Sequence, residues 1–524
     1  MRTDQKSAST PSRLTFFLAL CLLSWNQIQA DIRLPAVIGD NMVLQRGRKA
    51  PMWGWAQPGE KIAVTGDWQS LGWHTTADND GKWMILIDPP RQTDGRYTMT
   101  FRGNNTIEIK NILVGEVWVC SGQSNMEWPV RSSVNAEKEI AAADYPTIRL
   151  FTVQHKVAEA PQSDCEGNWQ SCSPETIGGF SAVGYFFGRE LHRELDLPIG
   201  LIQTSWGGTP AEAWTSKEAL QAKPECEPIL QRYAEAVQRY PQAKKEYEQQ
   251  LRDWEEAVDK AKAKGQNRPR RPHLPFGPEH PHAPAGLYNG MIAPLIPYAI
   301  RGAIWYQGES NAGRAYQYRT VFPTMIQDWR IKWRQGDFPF LFVQLANFRD
   351  VKPEPVDSDW AELREAQLMT LSLPNTGMAV IIDIGEAHDI HPKNKQDVGK
   401  RLALWALAKT HGKDVTYSGP LLKSTEIRAD RVILHFDHVD GGLVADGGGP
   451  LKGFAIAAAD RKFIWADAKI AGEAVVVSSE QISKPVAVRY AWADNPVCNL
   501  YNEDGLPASP FRTDDWPGIT VGRK

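Results

Sequence analysis

Two short segments of the chain share one pattern, Gly122-Gln123-Ser124-Asn125 and Gly308-Glu309-Ser310-Asn311. A serine at a tight turn between a strand and a helix presents its hydroxyl to a bound molecule. It becomes a nucleophile once a base takes its proton and donors hold the oxyanion that forms. Neither segment has glycine two residues after its serine, so the Gly-x-Ser-x-Gly elbow of the α/β-hydrolases is absent. Taken alone, either serine also suits an ordinary turn whose hydroxyl bonds nearby backbone. The base is easier to place. Asp389 and His391 lie two apart, Pro392 suits the first position of a helix, and Val398, Leu402 and Trp405 continue an apolar stripe until Gly412. The pattern predicts His391 at a helix entrance with a carboxylate close enough to orient its ring, although a plain helix-entry histidine would read the same way. His388 with His391, or His273, His280 and His282, are the alternative, a metal site. Neither set has a familiar ligand spacing or a companion Cys pair, so no metal is expected.

Elements must bring such loops together. The centre alternates apolar β-rich runs, at 117–120, 148–153, 199–204, 302–306, 338–345 and 378–383, with helical patterns. This is the signature of an α/β fold with a mainly parallel sheet covered by helices on both faces. Ligands of such sheets gather beyond the carboxyl ends of the strands. There the chain places 121–128, 205–210 (Ser205-Trp206-Gly207-Gly208-Thr209-Pro210), 307–311 and 384–392. Ser181 is a candidate cap for a helix running to Leu195, and Thr215 with Glu218 makes a candidate capping box for a helical insertion at about 215–283. In that insertion Tyr247, Leu251, Trp254 and Val258 form one apolar stripe, and Arg268-Pro269-Arg270-Arg271-Pro272 reads as an exposed basic loop. Short alternating runs with Gly/Asn/Asp turns predict β-sandwich-like regions at 31–114 and 413–524, leaving 115–412 as the central domain.

Composition narrows the classes. With 524 residues, 42% hydrophobic and 23% charged, the chain is globular, and at a net charge of −3 it is a poor candidate for binding nucleic acid. Arg2, Lys6 and Arg13 precede an apolar run at 14–25 and a small residue, Ala30, which predicts a signal peptide over 1–30 and export to the periplasm or outside the cell. No later run is long enough to predict a transmembrane helix. Beyond it remain Cys120, Cys165, Cys172, Cys226 and Cys498, an odd number, of which Cys165 and Cys172 are near enough in sequence to close a small loop. Tryptophan is in excess, 20 against 17 Phe and 14 Tyr, and Trp128, Trp206 and Trp305 fall in or beside the polar loops.

In their order, Ser121-Gly122-Gln123-Ser124-Asn125-Met126-Glu127-Trp128, Trp305-Tyr306-Gln307-Gly308-Glu309-Ser310-Asn311 and Ile390-His391-Pro392-Lys393-Asn394-Lys395 resemble the sialate O-acetylesterase family of SGNH-type hydrolases, which take acetyl groups off sugars. The resemblance spans the central domain, implies an SGNH, flavodoxin-like sheet, and extends to the flanking β regions. It implies Ser124 as nucleophile, His391 as general base and a structural Ser310. The backbone amides of Ser124 and of Gly207 or Gly208, with the Gln307 side chain, are the implied oxyanion donors. Many such hydrolases place the triad Asp three residues before the His. Here that position is His388, so Asp389 is the first choice of carboxylate, with Glu386, Asp383 or a Ser-His dyad as alternatives. The implied reaction is acetyl transfer through an acetyl-serine without metal or organic cofactor. Trp128, Trp206, Trp305, Glu309 and Asn311 are the candidate substrate contacts. An esterase of other acetylated carbohydrates such as acetylxylan is the nearest rival, to be separated by an arginine that holds a sialate carboxylate, for which Arg314 and Arg349 are candidates. A non-catalytic glycan-binding protein is the rival of a different class.

Overall fold

The computed structural model describes residues 1, 3, 31–439 and 441–524; apart from residues 1 and 3, the expected signal peptide lies outside the described residues. At its centre are seven strands, β1 (Thr106–Gly122), β2 (Tyr145–Thr152), β3 (Trp169–Cys172), β4 (Ile199–Gln203), β5 (Gly302–Tyr306), β6 (Phe340–Gln344) and β7 (Thr376–Val380). Their order across the sheet is β7-β6-β5-β1-β4-β2-β3, and every pairing is parallel except β2 with β3. All residues of β4, β5 and β6 are buried, because helices cover both faces of the sheet, and this is why these strands read as unbroken apolar runs.

The central helices include α1 (Ser124–Glu127), α2 (Ala182–Leu195), α3 (Lys217–Gln221), α4 (Glu227–Ala263), α5 (Ala315–Trp333), α6 (Asp359–Met369) and α7 (Lys395–Trp405). Ser181 caps α2 as expected, its Oγ accepting from Gly184 N at 3.0 Å. Two sequence expectations shift. The cap of α3 is Ser216, whose Oγ accepts from Ala219 N, while the Thr215 hydroxyl turns back to the Ala211 carbonyl. Helix α7 starts at Lys395 with Asn394 as its cap, so His391 and Pro392 belong to the preceding loop. Asn394 wins because its side chain accepts from Asp397 N, satisfying a first-turn amide that proline at the start would leave open. The stripe on α4 is covered in part by the basic loop itself: Trp254 Nε1 donates to the Pro269 carbonyl, and the Arg268 guanidinium lies 4.7 Å from the Trp254 ring.

The flanking regions are antiparallel apart from Val43–Gln45, which pairs in parallel with Leu113–Gly115. On the amino-terminal side Lys61–Gly66 pairs with Trp73–Thr76 and with Tyr97–Arg102, and Ala50–Trp55 pairs with Lys82–Ile87. Trp83 against Phe101, ring centroids 5.9 Å apart, ties the two sheets. Tyr97–Arg102 then pairs with the first half of β1, whose second half is the middle of the central sheet. On the carboxyl-terminal side two four-stranded sheets enclose a separate core that includes Val432, Leu434, Phe454, Ile456, Val475 and Val477. All five cysteines in the described residues are free, and Cys165 and Cys172 do not close a loop. Among the described residues no helix is long and apolar enough to cross a membrane.

Candidate active site

Strand β1 ends at Gly122, where a Cβ would lie 2.1 Å from the Tyr306 carbonyl of neighbouring β5, so only glycine fits. This close approach turns the chain sharply and makes Ser124 the first residue of α1. First-turn amides have no acceptor inside a helix, so the Ser124 N–H is available to a ligand. The loop after β7 brings His391 across. Its Nε2 lies 2.9 Å from Ser124 Oγ. Trp128 stacks on the imidazole, centroids 5.0 Å apart and planes inclined by 15°, and its own Nε1 is fixed on the Ser132 carbonyl.

Three carboxylates were open for the far side of the ring, and the structure separates them. Asp389 Oδ1 is 3.5 Å from His391 Nδ1 and also accepts from the His391 backbone N–H at 2.9 Å. Asp383 is held by Arg401 through two hydrogen bonds of 2.6 and 2.7 Å, and Glu386 accepts from Lys393 N. Asp389 is therefore the carboxylate beside the imidazole, at a separation longer than a well-formed hydrogen bond. Burial and the nearby Lys395 ammonium hold the His391 pKa below the ordinary imidazole value, against the opposing pull of Asp389.

The other wall comes from β2 and β4. The His155 ring stacks on Trp206 with centroids 4.1 Å apart, and its Nε2 lies 3.1 Å from Glu127 Oε1. The Glu127 hydrogen bond raises the His155 pKa. Glu127 Oε2 also accepts from Gly207 N at 2.6 Å. Gly207 packs tightly on the serine, since a Cβ there would be 3.3 Å from Ser124 Cβ. Sequence reasoning missed Glu127 and His155 as a unit; the one available signal was their place just past the ends of β1 and β2.

Several expected site residues are turned away from the cleft. The Gly207 amide hydrogen is already donated to Glu127, so it is not a free oxyanion donor. Gln307 is fully buried, its Nε2 on Asn311 Oδ1 at 2.6 Å and its Oε1 accepting from Tyr318, which takes its amide out of reach. Asn311 is buried and bonded to Ala211 N and Glu212. Trp305 has no exposed surface and sits edge-on to Trp214 and Trp329 in the core. Both side chains are enclosed by protein. The Glu309 carboxylate is also enclosed, on Asn125. Ser310 Oγ donates to the Gly208 carbonyl at 2.8 Å.

Residues 114–259 and 283–408 match the carbohydrate esterase family described as sialic acid-specific acetylesterase. The sialate O-acetylesterases of Pongo abelii and Homo sapiens are 31% and 30% identical to this chain, each over 96% of it and 98% of the relative. The chain belongs to this family. A crystal structure of a carbohydrate acetylesterase from Xanthomonas citri superposes with a TM-score of 0.78 at 38% identity, covering 93% of this chain and all of that one. In this member of the family the β1–β2–β4 side of the cleft continues into a cavity of about 400 Å³ lined by Glu127, Pro129, Arg131, Gln154, His155 and Ser205. Of the arginines considered for an anionic sugar, Arg314 is paired with Glu212 and Arg349 with Asp359 and Asp494. Arg131, in the cavity wall, is exposed, and no carboxylate among the described residues pairs with it.

Proposed function

We propose that this ester hydrolase removes O-acetyl groups from sialic acids through an acetyl-serine intermediate. The observation that carries the reading is the 2.9 Å contact between Ser124 Oγ and His391 Nε2 in a chain of this family. His391, kept largely neutral near pH 7 by its surroundings, accepts the Ser124 proton as Oγ attacks the acetyl carbonyl. The carbonyl oxygen becomes an oxyanion held by the backbone N–H groups of Ser124 and Gly208. As the tetrahedral species collapses, the C–O bond to the sugar breaks and His391 returns the proton to the departing sugar oxygen. Water then gives its proton to His391 while attacking the acetyl-serine, and acetate leaves as Ser124 recovers its hydrogen. Asp389 orients the imidazole and steadies it while charged. Trp128 backs the base, and Trp206 presents a flat face toward the sugar.

Arg131 is the group suited to the sialate carboxylate, because a guanidinium binds a carboxylate through two parallel hydrogen bonds. Export through residues 1–30 is part of the same proposal. Acetate release from O-acetylated sialic acids and from acetylated xylan tests it. The sialic acids should be the better substrates, and Arg131→Ala should cost them about tenfold or more in kcat/KM while sparing a neutral acetyl ester. No acetate from any sialic acid would overturn the substrate assignment.

A further inference from the structure

Behind His391 lies a buried cation that the acetyl-transfer steps do not use. Lys395, the first residue of α7, has no exposed surface. Its Nζ donates to Asn125 Oδ1 at 2.5 Å and lies 5.4 and 5.8 Å from the ring centres of Tyr306 and Trp128. Asn125 Nδ2 donates to Glu309 Oε1 at 2.6 Å and to the Ile390 carbonyl at 3.0 Å. The direction of this amide is set by chemistry. An ammonium only donates and a carboxylate only accepts, so the oxygen must face Lys395 and the nitrogen Glu309. Asn125 directly follows Ser124, and Ile390 directly precedes His391. One side chain therefore pins the loop of the base to the turn of the hydroxyl, and two charges lock its orientation.

Burying such charges is costly. Glu309 Oε2 has no hydrogen-bond partner among the described residues, and apolar groups pin loops at lower cost than a buried ion pair. We propose that Lys395, Asn125 and Glu309 are positioning residues that hold Ser124 and His391 in register, and that the Lys395 ammonium keeps His391 an uncharged base as the solution becomes acid. The inference rests on the roles given above to Ser124 and His391. The charged groups facing the imidazole are Asp389 from its own loop and Lys395 from α7; Ser124 and Trp128 face it uncharged. Lys395 in turn faces Glu309 from the turn after β5, with Asp389 and Glu386 from the loop and the Tyr306 ring from β5. Burial lowers the Lys395 pKa to about 7 against those carboxylates, so its charge grows through the acid range in which His391 would otherwise take a proton.

The test is the pH dependence of kcat/KM on an activated acetyl ester, measured on the intact protein. Lys395→Met should move the acid limb to higher pH by on the order of one unit, and Lys395→Arg, which keeps the charge, should leave the limb in place. Lys395→Gln, with an amide that can still donate to Asn125, carries the same expectation if the Met variant does not fold. A uniform loss at every pH with an unmoved limb would overturn the electrostatic role. Asn125→Ala should lower kcat with little change in KM, and an unchanged kcat would overturn the positioning role. Failure of Ser124 to take up a fluorophosphonate in the wild-type protein would instead refute the underlying nucleophile assignment.

Discussion

In both Gly-x-Ser-Asn turns the glycine ends or follows a central strand at positive φ, +140° at Gly122 and +159° at Gly308, and the asparagine behind the serine is buried. The turns then part. Ser124 opens an α-helical turn and meets His391, whereas Ser310 lies in a 3-10 turn and spends its hydroxyl on the Gly208 carbonyl. Asn125 reaches across to the loop of the base, while Asn311 bonds Gln307, Ala211 and Glu212 and braces the neighbouring loop. The same four-residue frame thus serves two ends. What distinguishes them is the partner that a distant segment delivers, here a histidine 267 residues away.

The sharpest way to break the comparison is to remove each hydroxyl. Ser124→Ala should cut kcat/KM on an activated acetyl ester by about 10⁴-fold or more, as loss of a nucleophile does elsewhere, while Ser310→Ala should stay within a few-fold. Equal losses would erase the distinction. A smaller effect is expected at the orienting carboxylate: Asp389→Asn should cost about 10- to 100-fold, less than loss of a well-aligned triad member, because its contact with the ring is long. Asp383→Asn and Glu386→Gln, measured beside it, should change kcat/KM far less. The smallest catalytic effect belongs to Asn311→Ala. It should lower stability by about 1–3 kcal/mol through the buried partners left unpaired, read as a lower denaturation midpoint, with kcat/KM changed only a few-fold.

Much of the frame was legible in the chain. Strands buried on both faces have to be apolar throughout, so β4 to β7 announced themselves, and the rule that loops converge at the carboxyl edge brought Ser124, Trp206 and His391 together. Side-chain direction was not legible. Trp305, Gln307 and Asn311 share the motif of Ser310 and look available in the sequence, but all three side chains turn into the body of the domain. The Glu127–His155–Trp206 wall was hidden for another reason: it joins three loops and follows from the order of β1, β4 and β2, which no local pattern reports. Where Asn394 as a cap displaced Pro392 as a first helical residue, the two signals stood two residues apart, and the one whose side chain satisfied a backbone amide prevailed.

Strand β1 enters among the small amino-terminal sheets and leaves two residues before the serine, with no linker between. The flanking region is thus not a detachable module. Any cut that removed residues 31–114 would take away the front half of the strand that aims the nucleophile together with its pairing partners, so truncation at that boundary finds no neutral seam. The amino-terminal sheets thus serve as the mounting of the nucleophile's strand.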